Sequence, residues 1–416
     1  MTQQKPTTPE KAPSNSAPLS FNGVGDFEGT QSAEILKDRV SAFQHLYSPN
    51  KSVRLCGRGV LKKYDQAEIV VWKDRSVSFA GLSSCGAHYC VKCASKSRES
   101  HAKAMVKGLN QAVKEGNNVW FGTLTVATCE MEKQVELMRG AWRAFNLRLK
   151  RELDKVNVPL SIYKAYDFTI NENKREKEAL HLHIHFVLVL PPQEEMKDLL
   201  GESVRFFVRK VRKLGGNAVS VAQEIELAQD MDAVAFYCAK LVKEVSNTAT
   251  KTKKAKVGGG LSLVPWLNKV VQVEDQKKFR KCVRIYRNLQ SALKDLRIFS
   301  RTKAFGELVA RSEHKEEPKE EKAFVYALSV GPRCLVALAR THRMNEFGKM
   351  LSDAVFSESP RLKAWLKRVE ITAEASLREE ADDYSLSDWA NCWDALFRAY
   401  ASYRWTDRTP DLKQVA

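Results

Sequence analysis

Residues 181–190 constrain the fold most, because histidines and apolar residues alternate from 181 to 186 and an apolar run follows. Successive side chains of a β-strand point to opposite faces, so this pattern predicts a strand with one buried face. His181, His183 and His185 then share the other face. Neighbouring protonated imidazoles repel one another, and neutral imidazole is the commonest metal ligand in proteins. The spacing therefore predicts a metal site, and the alternative is an exposed polar face of a half-buried sheet.

This strand belongs to a regular run of predicted elements. We expect strands at residues 119–127, 160–170, 181–190 and 218–223, and helices at 131–153, 191–214 and 230–245. The order β-α-β-β-α-β, followed by one helix, predicts an α+β fold with the ferredoxin-like split βαβ arrangement and an antiparallel sheet. Pairing of the two middle strands brings Asp167 near the histidines as the next candidate ligand. The alternative for Asp167 is a solvent-facing acid on a strand.

The charge of the chain indicates a polyanionic partner. The formal net charge is +18, and cations release counterions from a phosphate backbone, so we expect nucleic-acid binding. Five cations and no acid fall within residues 205–213, and they are the candidate DNA contacts: Arg205, Arg209, Lys210, Arg212 and Lys213. The alternative is a solvated basic face that aids solubility. The chain has neither a signal-peptide pattern nor an apolar run long enough to span a membrane, so we expect a cytoplasmic bacterial protein.

Four of the nine cysteines fall close together in the N-terminal part of the chain. A Cys-x2-Cys pair is a common half of a structural zinc site, because the short turn brings two sulfurs to one ion. The candidate zinc ligands are Cys56, Cys85, Cys90 and Cys93. His88 or His101 is an alternative to Cys56, and a second alternative is a set of reduced, buried cysteines that bind no metal. We expect zinc here to fold a small basic module.

A tyrosine and a lysine lie one turn apart on the last predicted helix. Tyr237 can act as a nucleophile, because a phenol forms a phosphodiester with DNA and remains attached to the strand it cuts. Lys240 can lower the pKa of that phenol and screen the phosphate charge. A Tyr-x-x-Lys pair also occurs by chance, and an isolated tyrosine is more often a core residue. The pair is a candidate catalytic site because it follows the histidine strand in the predicted order of elements.

Three segments together resemble a known family. Residues 120–126, 181–188 and 235–240 follow the order of the three motifs of rolling-circle plasmid replication initiators of the HUH endonuclease superfamily. Residues 85–93 resemble the N-terminal part of the branch of that family that carries a cysteine cluster. The resemblance extends over residues 56–245, somewhat under half of the chain.

The resemblance implies a function and a ligand set. It implies Mg²⁺ or Mn²⁺ on His183 and His185, with Asp167 as third ligand and His181 as a neighbour. It also implies nicking of one strand at a single-stranded or hairpin origin by metal-assisted transesterification. The products are a 5′-phosphotyrosine and a 3′-OH, which a host polymerase extends with a host helicase. The family commonly has Glu where this chain has Asp167, so the third ligand departs from the pattern.

The tyrosine motif implies the remaining roles. Tyr237 corresponds to the nucleophile and Lys240 to the lysine that follows it. Some members have a glutamate four residues before the tyrosine as a base for a second cleavage, and this chain has Ala233 there. The alternatives are a single-tyrosine HUH transposase and a non-enzymatic, zinc-dependent DNA-binding regulator. Relaxases and amidohydrolase-like metal hydrolases agree less well with the order of the motifs.

The composition divides the chain into four predicted parts. They are a disordered tail at 1–40, a cysteine-rich basic module at 50–114, an HUH nicking domain at 115–250 and a mainly helical C-terminal domain at 261–416. The sequence does not predict the oligomeric state.

Overall fold

A computed structural model describes residues 33–58, 67–192, 195–228, 260–313, 323–378 and 385–407. The helices are α1 Ala33–Tyr47, α2 Lys51–Leu55, α3 Val91–Lys114, α4 Met131–Lys155, α5 Glu195–Lys213, α6 Leu263–Val270, α7 Gln276–Leu293, α8 Lys303–Glu313, α9 Pro332–Arg340, α10 Met344–Val355, α11 Pro360–Ala375 and α12 Leu386–Asp407. The strands are β1 Ala67–Trp72, β2 Val77–Ala80, β3 Asn118–Thr125, β4 Ser161–Ile170, β5 Leu180–Leu190, β6 Glu224–Leu227, β7 Phe299–Arg301 and β8 Phe324–Val330. The predicted α+β class is confirmed, with antiparallel sheets and a helical C-terminal region.

The larger sheet has five strands in the order β6-β3-β5-β4-β7, and every neighbouring pair is antiparallel. β4 and β5 pair as the sequence predicts, with Asp167 opposite His183. The fourth strand lies later than predicted, at Glu224–Leu227, and residues 220–222 form a short 3₁₀ turn. The Gln223 side chain both accepts from Thr125 N and donates to Thr125 O, so a side chain occupies the ladder position that would extend the pairing.

The two faces of this sheet are covered differently. On one face, the rings of Trp142 and Phe145 from α4 pack on Phe186 of β5. Gly122 of β3 lies under that ring, and a Cβ there would stand 2.1 Å from Phe186 Cζ, so only glycine fits. On the other face, α3 and α8 cover Tyr163, whose ring centroid lies 5.4 Å from that of Phe305. The histidines of β5 lie on this second face, nearer the start of the strand.

Residues 260–313 share the hydrophobic cluster of the large sheet. Trp266 of α6 and Tyr286 of α7 are fully buried in it, and β7 extends the sheet beside β4. Helix α1 packs there too, through Val40 and Phe43. It begins at Ala33, so residues 33–40 are helical although the sequence assigns them to the tail.

A second hydrophobic cluster joins distant parts of the chain. Strands β1 and β2 pair with β8 in a sheet of order β2-β1-β8, and helices α9–α12 pack against it. Residues of the predicted cysteine-rich module therefore share a core with the predicted C-terminal domain. The predicted division into four parts stays a prediction, and the hydrophobic packing groups the described residues into these two clusters instead. None of the helices described is both long and apolar enough to span a membrane.

Candidate metal centres

The alternation of β5 sorts its side chains between the two faces. Leu182, Ile184 and Phe186 are buried under the helices, whereas His181, His183 and His185 are half-buried on the other face. We call these three histidines, with Asp167 opposite them on β4, the histidine face. The structure therefore has the predicted strand, with the three imidazoles on the predicted side of it.

His185 lies between a hydroxyl and a carboxylate. Its Nδ1 is 3.1 Å from Thr123 Oγ1, on the neighbouring strand β3. Its Nε2 is 3.9 Å from Asp167 Oδ2. The His183 ring stacks on the His185 ring, with 6.1 Å between centroids, and His183 lies directly opposite Asp167 in the β4–β5 register. Two imidazoles and one carboxylate therefore share a small area of the sheet.

His181 has a different environment. Its Nε2 is 3.4 Å from Thr125 Oγ1, and its Nδ1 is 3.2 Å from Thr128 Oγ1. The edge of its ring meets the His183 ring, with 4.3 Å between centroids. Both ring nitrogens of His181 thus face hydroxyl groups, and its role as a neighbour of the metal stays a prediction.

Burial keeps the central imidazole neutral. Desolvation, followed by the neighbouring His181, lowers the pKa of His183 to about 4. Burial also lowers the pKa of His181. A metal binds neutral imidazole, so no proton competes with it at neutral pH. The donor set combines imidazole nitrogen with carboxylate oxygen, as divalent transition-metal ions accept.

The cysteines form a tighter group than the histidines. Across the described part of the chain, one group of three or more potential ligand atoms has all of them within 4.8 Å of one another. It consists of Cys56, Cys85, Cys90 and Cys93, which we call the cysteine quartet. The quartet can hold a metal such as zinc, and its members agree with the sequence prediction. His101, the alternative ligand, stacks on Phe299 instead.

Local structure brings the four sulfurs together. Cys90 caps the start of α3 and Cys93 lies in its first turn, so one helix end supplies two ligands. Cys56 directly follows α2, and its Sγ is 3.4 Å from Cys93 Sγ. Cys85 Sγ lies 3.6 Å from Cys93 Sγ. Hydrogen bonds from the Cys56 thiol and then the other two hold the pKa of Cys93 well below its usual value, as expected where one sulfur is a thiolate.

Two cations lie near the quartet, and no local sequence pattern singles them out. Lys92 Nζ lies over Gly57, 2.7 Å from where a Cβ of that residue would stand. Arg58 is 6% exposed and donates to Ala339 O at 2.8 Å, at the end of α9. Its Nη2 is also 2.6 Å from His342 Nδ1, which links the quartet's loop to the second hydrophobic cluster.

The predicted DNA contacts lie on a different face from the histidines. Arg205, Arg209, Arg212 and Lys213 are exposed on α5, and Lys210 is half-buried. Helix α5 packs against α4, which covers the sheet face opposite the histidine face. The structure therefore does not bring these cations to the candidate metal site.

Tyr237 and Lys240 lie outside the described residues. The described chain stops at Ala228, whose N donates to Val119 O at 2.9 Å on β3. It resumes at Gly260, and Leu261 pairs with Ile170 at the end of β4. A Cβ on Gly260 would stand 2.8 Å from Thr169 Oγ1, and Thr169 is opposite His181 in the sheet. The chain thus resumes close to the histidine face.

Comparison with known proteins identifies no relative of this chain. No protein-family model matches it, and neither the curated proteins nor the solved structures contain a match.

Proposed function

We propose that this chain is a rolling-circle plasmid replication initiator, which nicks one DNA strand through an HUH-type, ferredoxin-like core. The observation that carries the proposal is the antiparallel pairing of β4 with β5, with His183, His185 and Asp167 together on one face. The strand order β6-β3-β5-β4, with α4 and α5 as the connections, supports the split βαβ arrangement.

The histidine face supplies the donors for a catalytic cation. His183, His185 and Asp167 would hold Mg²⁺ or Mn²⁺, and the imidazole-rich set suits Mn²⁺ better. When bound, such a cation polarises a phosphoryl oxygen. The sheet holds the donors on rigid strands, and burial keeps His183 free of a competing proton.

The chemistry proposed for Tyr237 is a transesterification. The phenol oxygen forms a bond to phosphorus, and the bond from phosphorus to the 3′-oxygen breaks, so the leaving oxygen takes up a proton and becomes a 3′-OH. Lys240 would stabilise the phenolate and the phosphate charge. The 5′-phosphotyrosine conserves the energy of the broken bond, and a host polymerase and helicase would extend from the 3′-OH in the cytoplasm.

The cysteine quartet has a separate, structural role in this proposal. Zinc with four thiolates carries a net charge of about −2, and an uncompensated charge of that size is costly in a partly buried site. Lys92 interacts electrostatically with Cys56 and Cys90 and offsets part of that charge. We propose that zinc here folds the N-terminal module.

A non-enzymatic, zinc-dependent DNA-binding regulator is the second candidate function. It is favoured by the quartet being the tighter metal-ligand group and by the basic face of α5, which is directed away from the histidines. Nicking of supercoiled cognate DNA in the presence of Mg²⁺ or Mn²⁺ distinguishes the initiator from this regulator.

Covalent capture of DNA tests the proposed nucleophile. Wild-type protein, incubated with Mn²⁺ and a single-stranded oligonucleotide from its own origin, should give a slower band on a denaturing gel. Tyr237→Phe removes the attacking oxygen and should abolish that band. Tyr47→Phe, which removes a hydroxyl from α1, is the matched control and should leave capture unchanged. Undiminished capture by Tyr237→Phe would contradict the assignment of Tyr237 as the nucleophile.

A further inference from the structure

A row of threonines borders the histidine face. Thr123 and Thr125 lie on β3 on the same side of the sheet as the histidines, and Thr128 follows in the next loop. Thr123 is opposite His185 in the β3–β5 register, and Thr125 is opposite His183. We call these three residues the threonine row. Their hydroxyls contact two of the three imidazoles and contact them differently.

The contact with His185 selects one ring nitrogen. Thr123 Oγ1 lies 3.1 Å from Nδ1, so that nitrogen already has a partner within the protein. The other nitrogen, Nε2, is directed at Asp167, with 3.9 Å to Oδ2. A histidine that binds a metal generally donates its second N–H to a nearby oxygen, which fixes the tautomer and the orientation of the ring. The Thr123 oxygen is in position to accept that N–H.

The contacts with His181 engage both of its ring nitrogens. Thr128 Oγ1 and Thr125 Oγ1 engage Nδ1 and Nε2, at 3.2 and 3.4 Å. An imidazole needs one nitrogen lone pair for a metal, and here each nitrogen already meets a hydroxyl. The arrangement therefore separates His181 from the ligand set by its hydrogen-bond partners.

We infer that Thr123 is a positioning residue that holds His185 as the Nδ1–H tautomer and thereby presents Nε2, with Asp167, to a divalent cation. Thr125 and Thr128 hold His181 as a neighbour that does not bind the cation. The inference rests on the proposed function for the cation itself. It goes beyond that proposal because it assigns a role to Thr123 on strand β3 and gives a structural reason for the different roles of His185 and His181.

Mn²⁺ binding to the full-length protein tests the inference without DNA. Calorimetry, with the electron paramagnetic resonance signal of free Mn²⁺ as a second readout, gives the affinity. Thr123→Val keeps the side-chain shape but removes the hydroxyl, and it should weaken Mn²⁺ binding by about 10- to 100-fold. Thr123→Ser restores the hydroxyl and should recover most of the affinity.

Matched changes in the same row separate positioning from folding. Thr125→Val makes the same substitution two residues away on the same strand, and His181→Ala removes the third imidazole. Both should leave the Mn²⁺ affinity within about threefold of wild type, since neither group belongs to the ligand set. The thermal melting midpoints of all variants report whether the strand still folds.

The outcomes of these experiments either support or overturn the inference about Thr123. Equal Mn²⁺ affinity of Thr123→Val and wild type would overturn the inference alone, as would a Thr123→Ser variant that fails to recover binding. A loss of affinity in His181→Ala as large as that in His185→Ala would also overturn it. Wild-type protein that neither binds Mn²⁺ nor nicks its origin would remove the proposed function together with the inference.

Discussion

The histidine face and the cysteine quartet are both candidate metal centres, and they are built in opposite ways. The quartet gathers four sulfurs within 4.8 Å of one another, from two helix ends and a loop. The histidine face spreads its donors along two strands, and its closest nitrogen-to-carboxylate pair is 3.9 Å apart. Four protein ligands complete a tetrahedral zinc shell, whereas two or three ligands leave positions for water or substrate.

The side chains around the two centres also differ. Charged side chains lie near the quartet: Lys92 interacts with Cys56 and Cys90, and Asp38 interacts with both Lys92 and Arg58. Hydroxyls border the histidine face, and its imidazoles are half-buried. A closed centre is suited to holding a fold together, and an open centre of imidazoles and one carboxylate is suited to exchanging its ligands. We therefore expect the loss of metal to have different consequences at the two centres.

Loss of one thiolate should have the largest effect on stability. Cys93 contacts both Cys56 and Cys85, so Cys93→Ser removes the central ligand of the quartet. We expect the zinc content to fall from about one ion per chain to almost none, and the melting midpoint to fall by about 10 °C. Elemental analysis and calorimetry measure these quantities. Cys129→Ser, outside the quartet, is the control, and equal zinc content in both variants would contradict a structural zinc site.

Titration of the charged groups near the quartet should have a smaller effect. Asp38 accepts hydrogen bonds from the first residues of α10, and burial raises its pKa to about 6. Because this pKa is above the unfolded value of 3.8, the folded state gains stability from Asp38 at low pH and loses that gain as the pH rises through 6. The loss is at most about 3 kcal/mol.

Urea unfolding between pH 4 and pH 8 measures this contribution. The free energy of unfolding of wild type minus that of Asp38→Asn should decrease as the pH rises. The exposed Val221→Ala, which changes no titratable group, is the control, and its profile should run parallel to wild type. Parallel profiles for Asp38→Asn as well would show that this carboxyl does not titrate as its burial implies.

Local patterns in the sequence predicted the part of the fold that contains the histidines. The alternation in β5 and the polar loop before it were enough to predict the β4–β5 pair and to bring Asp167 near the histidines. The strands β7 and β8 were missed because their pairing is not local. β8 pairs with β1, some 250 residues earlier in the chain, and β7 has only three residues.

The candidate sites were predictable to different degrees for the same reason. The cysteines were found from their spacing, and the histidines from their period. Thr123 could have been found from the alternation of β3, because it falls on the same face as His185. Arg58 could not, since its partner Ala339 is 281 residues away in the chain. The orientation of α5 away from the histidines likewise depends on packing against α4.

Metal exchange followed by a nicking assay tests the central claim most directly. Purified protein is dialysed against EDTA, its zinc content is measured, and nicking of its supercoiled origin is assayed before and after Mn²⁺ is added. We predict that about one zinc per chain remains, because the quartet is closed, and that nicking is lost in EDTA and restored by Mn²⁺. Nicking that persists in EDTA, or that returns with zinc alone, would contradict the assignment of the histidine face as the catalytic metal centre.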